Sequence, residues 1–342
     1  MSEITTVGLD LAKNVFQVHG ADASGCAMLR KKLRRDQVLD FFAQLPPCLV
    51  AMEACGGAHF WGREIGKLGH DVRLIPPAYV KPFVKRQKND MADAEAICEA
   101  AQRPTMRFVP VKSEETQGAA MVFRIRELLI RQRTQAINAL RGHLGEFGWI
   151  VPQGAANASR LVAIVEDRES CLPADAIATL KGLVATLAHL DAEIAKLDAE
   201  IERRTKTNDL ARRLMTVPGI GPLIATAIAT LAPPPDMFRK GRDFAAWLGL
   251  TPRQHSTGGK QRLGATTRMG ERSLRRLLII GANSVIIKRH VHASARPGTW
   301  LGRMLTHKPP MLVRVALANK MARIVWALMT QGSVYKAPAV AA

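Results

Sequence analysis

After Glu271 the chain contains no acidic residue, although 71 residues follow it. Acids are already scarce from residue 203 onward, where 4 stand against 24 Lys and Arg, whereas residues 1–202 hold 25 of each sign. All of the formal charge of +20 therefore lies in the last 140 residues. A charged face kept for solubility would not require the removal of acids, so the asymmetry points to a polyanionic partner, most simply nucleic acid. Long apolar runs are missing too. The stretches near 220–232 and 277–287 are too short, and too interrupted by Gly, Pro or flanking Arg, to span a bilayer. The opening residues, Met-Ser-Glu-Ile-Thr-Thr-Val, show no basic segment followed by an apolar one, which predicts no secretory leader and a cytoplasmic protein. Cysteine is sparse and odd in number: Cys26, Cys48, Cys55, Cys98 and Cys171 have no zinc-ligand spacing and read as reduced core residues. The nine histidines are scattered.

What is present is a set of four acids. Asp10 ends the apolar run Val-Gly-Leu-Asp, and Glu53 ends Leu-Val-Ala-Met-Glu. An acid at the end of a buried strand is costly unless its charge is compensated. Asp90 and Asp93 lie three apart, so a helix puts them on one face, where like charges repel unless a cation sits between them. If the two strands are parallel neighbours, their carboxyl ends meet that face. Such a cluster of oxygen ligands suits Mg²⁺ or Mn²⁺ and the cleavage or transfer of phosphodiesters. Taken singly, an Asp before Leu-Ala-Lys is an ordinary turn residue and a DxxD on an exposed helix is common. Lys81, Lys85, Arg86 and Lys88, just before the acidic pair, would hold a nucleic-acid backbone beside the cluster.

The local patterns place these residues. Residues 4–10 and 14–20 alternate and read as a hairpin, with a third strand at 27–33. Asp36 reads as the N-cap of a helix over 37–44. Residues 48–53 form a wholly apolar strand of the buried parallel kind. A helix follows Gly56-Gly57 through 68, a strand occupies 71–75, and 91–102 is helical. This is the order of an RNase H-like α/β domain over 1–110. A helical middle, 111–207, has a long helix over 113–147 and a heptad seam: Leu180, Leu187, Ile194 and Ile201 at one position, Leu183, Leu190 and Leu197 at the other. The seam suits the 113–147 helix or a second protomer, and we read it as an oligomer contact, dimer or tetramer. The basic part, 208–342, is mostly helical. Residues 217–225 read as the turn of a helix-hairpin-helix, with Gly219 and Gly221 giving phosphates access to backbone N–H groups; a plain helix–helix turn is the alternative. Residues 247–264 read as a polar loop between helices, and 271–288 and 311–329 as helices with basic margins. Arg253, Lys260, Arg262, Arg268, Arg272 and Arg275 are the candidate nucleic-acid contacts there. Within the loop, the Ser256 hydroxyl sits among cations that would stabilise an attacking alkoxide and a phosphorane; from composition alone it is a serine beside DNA phosphates.

Several stretches together resemble the DEDD insertion-sequence transposases that include the pilin-gene invertase Piv. They are residues 7–13 (Val-Gly-Leu-Asp-Leu-Ala-Lys), 52–56 (Met-Glu-Ala-Cys-Gly), 88–96 (Lys-Asn-Asp-Met-Ala-Asp-Ala-Glu-Ala), 217–221 (Val-Pro-Gly-Ile-Gly), 249–260 and 264–278. The likeness covers nearly the whole chain. It implies a RuvC-like domain whose metal-binding carboxylates are Asp10, Glu53, Asp90 and Asp93. It also implies a C-terminal transposase domain whose nucleophilic serine maps onto Ser256, with Thr257 and Ser273 as rivals. Members of that family are guided by a structured RNA encoded in the element. The resemblance therefore implies a DNA recombinase working with DNA and a guide RNA. The other readings are a RuvC-like junction nuclease that uses water, and a non-catalytic nucleic-acid-binding protein.

Overall fold

The computed structural model describes residues 3–85, 89–167, 169–288 and 298–337. The chain divides into two compact units, residues 1–117 and 118–342.

The first unit is a mixed sheet with helices on both faces. Strands β1 (Thr6–Asp10), β2 (Val15–Ala21) and β3 (Ala27–Arg34) form an antiparallel meander. After the short helix α1 (Val38–Ala43), strand β4 (Leu49–Glu53) pairs parallel with β1. Helix α2 (Ala58–Lys67) returns the chain so that β5 (Asp71–Ile75) pairs parallel with β4, giving the order β3-β2-β1-β4-β5. A short helix α3 (Pro77–Val80) and a 3-10 turn lead to α4 (Asp90–Ala101). Alternation decides the faces: Val7, Leu9, Phe16, Val18 and Leu33 pack with Val38, Phe42, Trp61 and Ile65. Ala51 and Ile75 pack with Ala96, Ile97 and Ala100 of α4. Asp36 does not cap α1. It lies inside a 3-10 turn closed when the Gln37 side chain accepts the Arg34 N–H at 2.9 Å, and Gln37 takes the capping position.

The long helix α5 (Glu114–Glu146) starts in the first unit and runs into the second. There α6 (Ala158–Glu166) and α7 (Ala174–Thr207) complete one core. Leu180 and Leu187 of the heptad seam are buried in a cluster with Ile137, Leu140 and Leu144 of α5. The ion pairs Arg126–Asp198 and Arg133–Asp191 align the two helices antiparallel. A partner within the chain thus meets the seam and removes the reason for reading it as an oligomer contact.

A second core joins α8 (Asp209–Leu214), α9 (Pro222–Leu231), α10 (Gly241–Trp247), α11 (Arg272–Ile287), α12 (Trp300–His307) and α13 (Pro310–Gln331) with Phe123 and Ile201. The stretch read as a loop contains a β-hairpin, β6 (Pro252–Gln254) with β7 (Leu263–Thr266). Of the cysteines only Cys48 and Cys98 are buried; Cys26, Cys55 and Cys171 are exposed, which corrects their assignment to the core.

Candidate active site

Asp10 and Glu53 are the last residues of adjacent parallel strands, and the register that pairs Leu9 with Met52 sets them side by side. Asp90 and Asp93 occupy the first turn of α4, whose N-cap is Asn89: its side chain accepts the Met91 N–H at 3.0 Å. The partial positive charge of a helix N-terminus favours acids there. One carboxylate oxygen from each of Asp10, Asp90 and Asp93 falls within 4.8 Å of the others. Glu53 lies outside that trio but is coupled to it by charge.

The electrostatics show the strain of this arrangement. Burial, then repulsion from Asp93, Asp90 and Glu53, pushes the Asp10 carboxyl up to about 6, against a small opposing effect of the Leu11 N–H. Burial and Asp93 raise Glu53 likewise. The neighbouring Cys55 thiol, partly desolvated although the residue is exposed, is raised by that desolvation and by the same two carboxylates, Glu53 and Asp10. No lysine or arginine ion pair is formed by the four acids among the described residues. The donor set is all oxygen, the composition that suits a hard divalent cation rather than zinc or copper.

One positioning residue escaped the sequence reading. Gly8 lies in the middle of β1, directly under α4. A Cβ there would stand 2.2 Å from the Ala94 carbonyl oxygen and 2.6 Å from the Cys98 nitrogen. Only glycine lets α4 lie this close to β1, and that approach carries Asp90 and Asp93 to Asp10. The signal was available: a glycine inside an apolar strand, and the small residues Ala94, Cys98 and Ala101 at helical spacing.

Of the cations before α4, Lys81 is exposed, whereas Lys85 is engaged by Glu95 at 2.5 Å. Arg86 and Lys88 lie outside the described residues.

In the second unit, Ser256 stands on the exposed β6–β7 hairpin. Thr257 and Lys260 exchange backbone hydrogen bonds around Gly258 and Gly259, whose φ values of +53° and +75° form a two-residue turn of the kind that requires left-handed backbone. The Ser256 Oγ accepts from Gln254 Nε2 at 3.0 Å and, at 3.4 Å, from the Arg262 N–H. Both donors favour a developing alkoxide. Arg253, Lys260 and Arg262 are exposed on the same hairpin. Ser273 differs: it is part-buried and donates to Glu127 at 3.0 Å, while Glu127 also pairs with Arg276.

The remaining candidates separate by role. Arg268 and Arg272 are exposed. The Arg275 guanidinium donates to the Leu248 and Met269 carbonyls at 3.0 and 2.9 Å and thereby holds the chain ahead of α11. Gly219 has a left-handed φ of +86° and packs on α11, where a Cβ would stand 2.6 Å from the Gly281 carbonyl oxygen, so conformation and packing both call for glycine there. Gly221, the N-cap of α9, has open space about its Cα.

A carboxylate cluster at the edge of a mixed sheet, followed in the same chain by a strongly basic helical unit, is the equipment of a protein that processes polynucleotides. The comparisons with known proteins make the class specific. A family model described as "Transposase IS116/IS110/IS902 family" matches residues 211–296, and a DEDD transposase model matches residues 7–148. The chain is 50% identical to a probable family 20 transposase of Pseudomonas aeruginosa over 335 residues, covering 97% of this chain and 99% of that protein. It is 42% identical to the transposase for insertion sequence element IS1328 of Yersinia enterocolitica, covering 98% and 99%. With the transposase for insertion sequence element IS1111A of Coxiella burnetii it shares 36%, covering 98% and 92%. The chain belongs to the IS110/IS116 family of DEDD transposases.

Proposed function

We propose that this chain excises and inserts its own mobile element, with Asp10, Glu53, Asp90 and Asp93 holding Mg²⁺ or Mn²⁺ and Ser256 as the nucleophile. The observation that carries the metal site is the oxygen trio within 4.8 Å, with Asp10 pushed up to about 6 by burial and by the other acids. Carboxylates so close and so short of counter-charge fit a divalent cation. When bound, the cation polarises phosphoryl oxygens and stabilises the leaving oxygen. For the serine, the support is exposure on a cationic hairpin and two hydrogen-bond donors aimed at Oγ.

Ser256 Oγ forms a bond to the scissile phosphorus as the bond from phosphorus to one deoxyribose oxygen breaks. The serine proton passes to a base, and the released oxygen takes one up. The product is a DNA strand esterified to serine, which a second DNA hydroxyl attacks in the reverse sense. Arg253, Lys260 and Arg262 neutralise phosphate charge around that step. The family resemblance adds an element-encoded guide RNA to the partners, and cytoplasmic DNA is the substrate. No described helix is long and apolar enough to cross a membrane.

The test is a strand-transfer assay on labelled element ends, with the covalent adduct trapped on a nicked substrate and its peptide mapped. The expected result is an adduct on Ser256 that requires Mg²⁺ or Mn²⁺ and is absent in EDTA. An adduct on Thr257 or Ser273 reassigns the nucleophile. Metal-dependent cutting with no adduct means a water-using nuclease.

A further inference from the structure

Residues 30–35, Arg-Lys-Lys-Leu-Arg-Arg, put five cations in six positions within the otherwise charge-balanced first unit. Residues 30–34 fall on β3, the edge strand, where only Leu33 is buried, and Arg35 opens the 3-10 turn that follows. The register sets them in line with the acids: Asp10 pairs with Gln17, and Gln17 with Lys32. Glu53, Asp10, Gln17 and Lys32 thus form one row across four neighbouring strands. Two strand spacings, about 10 Å, separate the Asp10 and Lys32 backbones.

At the end of β3 nearest the acids, Arg34, Arg35, Asp36, Asn14, Val15, Phe60 and Trp61 line a pocket of about 550 Å³. Two of these lining residues, Phe60 and Trp61, are aromatic. The Arg35 guanidinium lies 5.0 Å from the Trp61 ring centroid, and Phe60 is 40% exposed. Arg34 pairs with Asp36 at 3.6 Å, both side chains being largely in solvent, so a phosphate displaces that pair at little cost.

We propose that β3 and this pocket hold the DNA strand whose scissile phosphate lies at the carboxylates. Lys32, Arg34 and Arg35 take successive backbone phosphates, and Phe60 stacks on an unpaired base. The inference rests on the proposed function, since it names the path of the substrate to that same cluster. Cations beside a row of acids serve a polyanion that crosses both. The ordinary purpose of charge on an edge strand, preventing sheet-to-sheet pairing, requires neither the register with Asp10 nor an aromatic pocket. Base stacking on an exposed ring, combined with a cationic track, is the standard way to grip a single strand.

The full chain is tested with a fluorescent single-stranded DNA in EDTA, so that neither metal nor cutting contributes. Lys32→Gln, Arg34→Gln and Arg35→Gln together should lower the log–log salt slope by roughly 2, at about 0.7 per phosphate, and weaken binding roughly 100-fold at 0.1 M salt. Because Arg35 packs on Trp61, the double variant Lys32→Gln/Arg34→Gln serves as a control that leaves that contact intact, with about two thirds of the change in slope. A slope unchanged in the double variant overturns the proposal. So does a loss seen with an RNA oligonucleotide of the same sequence but not with DNA. Asp10→Asn, run in parallel, separates the two readings. If it keeps full strand transfer, the catalytic assignment falls, whereas the β3 result is read from binding alone.

Discussion

Residues 1–117 carry 16 basic and 14 acidic side chains, whereas residues 118–342 carry 33 and 15. The first unit, near neutrality, gathers four acids at one end of its sheet and holds Asp10 at about 6 by burial and repulsion. The second unit has the charge excess yet keeps its candidate nucleophile on an exposed hairpin. One site gathers like charges against burial and mutual repulsion, at the expense of the fold. The other costs the fold almost nothing. Packing therefore sets the tolerances of the first, and access to substrate those of the second.

That contrast can be broken by stability measurements. The largest effect should come from the core of the second unit. Leu140→Ala removes a fully buried side chain facing the heptad seam and should cost about 2–5 kcal/mol in urea unfolding. A smaller loss, below about 1 kcal/mol, would mean that the α5–α7 pairing contributes little and would restore the seam to an intermolecular role.

Gly8→Ala should come next. Its Cβ meets backbone atoms, which cannot rotate away, so α4 must shift at a cost of about 1–3 kcal/mol. Strand transfer should fall far more than stability does, because the shift moves Asp90 and Asp93 from Asp10. Near-wild-type activity would show that the acids tolerate a looser geometry.

Asp10→Asn should abolish strand transfer while stabilising the metal-free protein at pH 8. The folded pKa of about 6 lies above the ordinary 3.8, so the folded state binds the proton more tightly than the unfolded one. Ionised Asp10 therefore opposes folding above pH 6, and that cost fades as pH falls through 6 toward 4. The gain at pH 8 should be about 1 kcal/mol, reduced from the full shift because the side chain is partly solvated, and it should vanish near pH 4. Thermal unfolding at both pH values, with EDTA, decides this. A variant less stable than wild type at pH 8 would contradict the electrostatic account.

The smallest change in stability belongs to Ser256→Ala, within about 0.5 kcal/mol, since the hydroxyl is exposed. Calorimetry together with the adduct assay reads both sides: an unchanged fold and no covalent product. Substantial unfolding would show that the Gln254–Ser256 hydrogen bond supports the hairpin.

The sequence by itself determined the strands of the first unit, because alternation and β-branching there report which side of each residue faces the core. It also placed Asp10 and Glu53 at the ends of their strands and Asp90 and Asp93 on one helix face, although it began that helix at residue 91 where the structure begins it at Asp90. It did not reveal the β6–β7 hairpin, whose strand residues are almost all exposed and so leave no periodicity to read. Nor did it give the capping position to Gln37 over Asp36, a choice made by one side-chain contact. The heptad at 180–201 determined an apolar face but not its partner, since any complementary helix satisfies such a face; the burial of Leu180 and Leu187 against Ile137, Leu140 and Leu144, with the ion pairs to Arg126 and Arg133, assigns it to α5. For the acids, sequence gives the element that carries each one and the charge it brings. Their closeness depends on the absence of a Cβ at Gly8, and only the packed structure shows what that missing atom would strike.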